Sequence, residues 1–201
     1  MQSPSRKTRR IGTAIATPVA ILVAAALIWH TSYAAFSGTT RNSGNNWATG
    51  SVALTDDDAG SARFQANNLV PGQTETKCIV VTATATVPGV VKGYAVNPVV
   101  SPQGLQDHVF ITIHHGTGGS FGSCVSFVDG GTTIPRTSLT ALAAYSNYAN
   151  GAGSWPVTAG TQSRTYQITW EFDTTGLSQT ELDALQGSQT GIDLQWELQS
   201  N

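Results

Sequence analysis

Charge is scarce in this chain: Asp, Glu, Lys and Arg make up 11% of its 201 residues. Basic charge is scarcer still beyond the first ten residues. There only Arg41, Arg63, Lys77, Lys92, Arg136 and Arg164 stand against all twelve acids, a net −6 with histidine neutral. Those six are scattered, which excludes a surface built to neutralise nucleic-acid phosphates or anionic lipid. No H-E-x-x-H is present, so the helical imidazole pair of a zinc protease is missing. His30 lies near the N-terminus, and His114 and His115 are neighbours that point to opposite faces if they sit on a strand. With His108 they are expected as exposed strand-end side chains. Cysteine is limited to Cys78 and Cys124. Neither has a histidine or cysteine at ligand spacing, so the simplest expectation is one disulfide formed in an oxidising compartment. No internal repeat, long linker or second apolar span near the C-terminus is found.

The first residues are different in kind. Arg6, Lys7, Arg9 and Arg10 precede an almost uninterrupted apolar run from Ile11 to Trp29, and Ser32-Tyr33-Ala34-Ala35 follows. A basic front, an apolar stretch and small residues at −3 and −1 are the layout of a secretory signal peptide, with cleavage between Ala34 and Ala35. The run is also long enough to span a bilayer as an uncleaved anchor. Either way the rest is expected outside the cytoplasm, secreted or on the cell surface, and touching the membrane only through residues 1–34. About 165 residues remain after cleavage, enough for one domain with a real core.

Beyond the leader, alternation with a period of two dominates. From Ile79 to Val87 every odd position is apolar. Tyr166, Ile168, Trp170 and Phe172 alternate with Gln167, Thr169, Glu171 and Asp173, and Ile192, Leu194, Trp196 and Leu198 with Asp193, Gln195 and Glu197. Val109 to Ile113 is apolar on nearly both faces and is expected as a central strand. Shorter strands are expected at 50–55, 62–65, 90–96 and 123–128. Pro71-Gly72, Pro88-Gly89, Asp129-Gly130-Gly131 and Asn150-Gly151 mark turns. Ser178-Gln179-Thr180-Glu181 is a capping box that opens a short helix stopped by Gly187, and Ser138 to Tyr145 is a second short helix or an apolar loop. The fold class expected is all-β: antiparallel sheets packed face to face, with one or two short helices behind the N-terminal signal helix.

The order of several segments carries a likeness. Ala35-Phe36-Ser37 is followed by Asn42, Asn46 and Gly50-Ser51-Val52-Ala53-Leu54, then Leu69-Val70-Pro71-Gly72 leading to Cys78. Near the end stand Tyr166-Gln167-Ile168-Thr169-Trp170-Glu171-Phe172, Leu185-Gln186-Gly187 and Ile192-Asp193-Leu194-Gln195-Trp196. This resembles the TasA/camelysin family of exported bacterial biofilm-matrix proteins. The cysteine pair and the glycine-rich middle lie outside the likeness. The resemblance implies a jelly-roll-like β-sandwich over residues 47–201 and a signal removed by a signal peptidase. It also implies self-association into fibres, or assembly with another matrix protein. Residues 35–46 are then a flexible donor strand, with Phe36 as the plug, that adds to an edge of the next subunit. Relatives described as metalloproteases make a secreted peptidase one alternative, and a monomeric envelope ligand-binding module is another.

The remaining candidates for chemistry are few. Gly118-Gly119-Ser120-Phe121-Gly122 fits G-x-S-x-G, but that motif needs a strand turning into a helix above a parallel sheet. It is expected as a glycine-rich hairpin loop. Asp56-Asp57-Asp58-Ala59-Gly60 is the one dense carboxylate cluster, and Asp56 and Asp58 are calcium candidates. Asn67 stands where an EF-hand loop would need its closing glutamate, and a solvated turn is the plainer reading. Trp170 and Trp196 are expected in the core and Trp155 exposed, the one tryptophan placed to stack on a sugar. No catalytic residue and no cofactor is expected.

Overall fold

The computed structural model describes residues 50–58 and 69–201. The signal helix, Ala34, Ala35, Phe36 and the segment expected as a strand at 62–65 lie outside these. Eight strands are present among these described residues: β1 (Val52–Asp56), β2 (Thr74–Ala85), β3 (Gly89–Val99), β4 (Val109–Thr117), β5 (Val128–Ser138), β6 (Ala152–Val157), β7 (Gly160–Phe172) and β8 (Gly191–Ser200). A 3₁₀ turn at Leu105–Asp107 precedes β4, and two short helices, α1 (Leu139–Leu142) and α2 (Gln179–Ala184), complete the elements. Every strand pair is antiparallel. One sheet has five strands in the order β1-β2-β7-β4-β5, the other three in the order β6-β3-β8. The chain is all-β, and among the described residues no helix is long and apolar enough to cross a membrane.

The period-two pattern produces one core between two sheets. Ile79, Val81 and Ala83 of β2 and Tyr166, Ile168, Trp170 and Phe172 of β7 turn inward from the larger sheet. Val91 and Ala95 of β3, with Trp155 and Val157 of β6, meet them from the smaller one. Burying each large apolar side chain contributes about 1.5–3 kcal/mol, which makes this layer the main stabilising term. Strand β4 is central, between β7 and β5, as its two-sided apolar pattern requires. Its outward Phe110 is covered by the Arg136 guanidinium, 3.7 Å from the ring centroid. Arg136 also donates to Glu171 and Asp173. The side chain of Ser178 accepts from the Glu181 N–H while Glu181 accepts from the Ser178 N–H, so the capping box opens α2 as its spacing dictates.

Three expectations are corrected. Residues 123–127 are not strand: Ser120 and Ser123 form an isolated bridge, the Phe127 N–H donates to the Cys124 carbonyl, and strand pairing begins only at Val128. The reason is the cross-link described below, which draws Cys124 away from the hairpin's line. Asp129-Gly130-Gly131 is not a turn but the start of β5. There the register against β4 slips between His115 and Gly116, and Gly131 adopts φ 129°, as a β-bulge allows. Trp155 is not exposed but 5% accessible. It sits on β6, a strand hidden from pattern reading by Gly153 and Pro156; the proline is tolerated because β6 is an edge.

Candidate functional site

Among the described residues the two sheets do not close at one side. Strand β1 ends the larger sheet and β8 ends the smaller, and among the described residues neither carries a further strand on its outer edge. Between them lies a cleft of about 190 Å³, lined by Leu54, Thr55, Asp56, Val81, Leu194, Gln195 and Trp196. Register explains the lining. Leu54 pairs with Ala83 and Asp56 with Val81, so Leu54 and Asp56 share the inward face of β1 with the buried side of β2. From the other sheet Leu194 pairs with Ala95 and Trp196 with Gly93. A side chain at Gly93 would meet the indole, its Cβ 3.2 Å from Trp196 Nε1, so the glycine lets the ring lie flat across β3. Trp196 also leans on Tyr166 with ring centroids 5.1 Å apart. The Tyr166 hydroxyl beneath is buried without a hydrogen-bond partner among the described residues, and burial raises its pKa.

The carboxylates around β1 divide their roles. Asp57 accepts from the Val80 N–H (2.8 Å) and the Phe121 N–H (2.6 Å), one oxygen each. It therefore takes over the edge of β2 where β1 stops, and ties it to the loop between β4 and β5. Asp56 accepts only weakly from the Asp58 N–H at 3.4 Å. Burial, and then hydrogen bonding and repulsion from Asp58, raise its pKa. Among the described residues no basic side chain pairs with Asp56. No group of three or more His, Cys, Asp or Glu able to hold a metal ion occurs among them either.

Cys78 and Cys124 form the disulfide, with Cα atoms 5.4 Å apart. Cys78 lies on the outward face of β2 yet is fully buried, because the 118–127 loop folds over that face. Thr165, cross-strand from Val80, is covered too. The glycines of this stretch now have a physical role. A Cβ on Gly116 would lie 2.1 Å from the Val128 carbonyl oxygen, and one on Gly118, at φ 73°, 2.1 Å from that of Ser126. Only glycine permits the returning chain to pack so closely. Ser120, centre of the G-x-S-x-G match, sits in this folded loop rather than at a strand-to-helix corner.

The histidines separate as strand geometry demands. Outward, His114 Nδ1 lies 2.9 Å from Asp129. Inward, His115 Nδ1 lies 3.0 Å from Thr133 Oγ1, and burial, followed by the nearby Arg164, lowers its pKa. Arg164 itself stacks over the Trp155 ring at 5.0 Å.

The chain matches no family model and no curated protein.

Of the residues singled out in the sequence, the structure brings together Cys78 with Cys124, and places Asp56 but not Asp58 among the cleft residues. Leu54, Val81 and Leu194 were not singled out as site residues. Val81 and Leu194 belong to alternating runs and Leu54 to a short expected strand, signals that mark a buried face but not which faces remain uncovered.

Proposed function

We propose that this chain is an exported, non-catalytic structural protein of the cell surface or extracellular matrix, with subunits joined by strand donation. A signal peptidase removes residues 1–34, and residues 35–46 of one copy add as a strand to the next copy or to another matrix protein. On this reading the two sheets are a jelly-roll-like sandwich, the membrane is met only through the leader, and nucleic acid is not a partner. The observation that carries it is the cleft between β1 and β8: among the described residues, two edge strands, one from each sheet, flanking the half-buried side chains of Leu54, Leu194 and Trp196. Edge strands present unpaired N–H and C=O groups that template another chain's strand, and main-chain bonding supplies affinity with side-chain pockets supplying specificity. Negative-stain electron microscopy of purified chains beginning at Ala35 and at Trp47 tests the proposal. Filaments from the first and none from the second are expected; monomers from both overturn it.

A further inference from the structure

We infer that the β1–β8 cleft captures the N-terminus of a second, processed copy, seating the Phe36 ring against Leu54, Leu194 and Trp196 and the Ala35 α-ammonium at Asp56. This rests on the strand-donation reading and adds what the acceptor recognises: a free terminal amine one residue ahead of an aromatic ring. Volume is the first argument. A cavity of about 150 Å³ holds a benzene molecule; the cleft, open to solvent, is of the same order at about 190 Å³, and Phe36 is the one aromatic residue between Ala35 and Asn46. Register is the second. In an added antiparallel strand, Phe36 opposite Leu54 faces the cleft, because directly opposed residues share a face. Ala35 then falls opposite Thr55, and its amino group lies beside Asp56. Charge is the third. Asp56 lines the cleft and meets no basic side chain among the described residues. Reach is the last: from Phe36 to Val52 the extended chain covers about 50 Å, more than the width of a domain whose radius of gyration is about 15 Å. The consequence is control by processing. Before cleavage the nitrogen of Ala35 is an uncharged amide continuing into the leader, so an unprocessed chain offers no ammonium to the cleft.

The test uses the mature chain beginning at Ala35, with assembly measured as critical concentration by sedimentation and checked by electron microscopy. Phe36→Ala should raise the critical concentration roughly thirtyfold, as loss of a buried interface anchor does. Acetylating the α-amine, and separately Asp56→Asn, should each raise it about two- to fivefold. Combined, the two should be no worse than either alone. Thermal melts of the unassembled chains should be unchanged. If acetylation and Asp56→Asn leave filament formation untouched, or act additively, terminus capture is overturned while strand donation stands. If the unmodified chain forms no filaments, both fail. A monomer whose β1 amides resist exchange only when Ala35 is present places the segment in its own cleft and overturns the second-copy occupant.

Discussion

Single side chains in this protein are explained by which face of a strand they occupy. Trp170 was legible as core because β7 alternates without interruption; Trp155 was not, since Gly153 and Pro156 break the alternation of β6 around it. Trp155→Ala should therefore cost about 3–5 kcal/mol in urea unfolding, where an exposed sugar platform would have cost almost nothing. Gly118→Ala should cost about 1–3 kcal/mol, because φ is 73° and the new Cβ meets the Ser126 carbonyl. His115 sets a pH dependence. Its folded pKa lies below the ordinary 6.5, through burial first and Arg164 second. As pH falls below about 6.5 the unfolded chain takes up a proton that the folded chain resists, and stability declines until the folded pKa is reached. The carboxylates whose pKa values are lowered, Asp173 to about 2 among them, lose their contribution only at more acidic pH. Urea midpoints at pH 7.5 and 5.5 should therefore differ less in His115→Gln than in the parent chain.

At the level of elements, the strongest single constraint is the cross-link between the 118–127 loop and β2. The pairing of Cys78 with Cys124 was legible from cysteine count alone. Its consequence was not, because 123–128 carries the Val and Phe content of a strand while the disulfide and Asp57 hold it as a folded cover. The bridge closes 46 positions of chain, a constraint on the unfolded state worth roughly 4 kcal/mol. Replacing both cysteines with alanine should lower stability by about 2–5 kcal/mol. It should also speed amide exchange from Gly118 to Phe127, and at Val80, whose N–H shares Asp57 with Phe121. Unchanged exchange at Val80 would show that the loop and the β2 edge are not coupled. The capping box of α2 and the Pro71-Gly72 turn, where the Gln73 N–H donates to the Val70 carbonyl, needed no tertiary information and were read correctly.

For the whole molecule, local pattern specified an all-β chain of antiparallel strands but not how the strands divide. The order β1-β2-β7-β4-β5 and β6-β3-β8 places Leu54 beside Leu194, 140 positions away, and no periodicity encodes that meeting. The cleft was invisible to sequence for this reason: it is a property of two edges, not of any segment. Strand donation would make those edges the joint between subunits, so the decisive measurement is hydrogen exchange by mass spectrometry on assembled and unassembled mature chain. Assembly through strand donation predicts slowed exchange across Val52–Asp56 and Gly191–Ser200, with the buried strands β4 and β7 unchanged. Filaments in which β1 and β8 exchange as fast as in the monomer would contradict it.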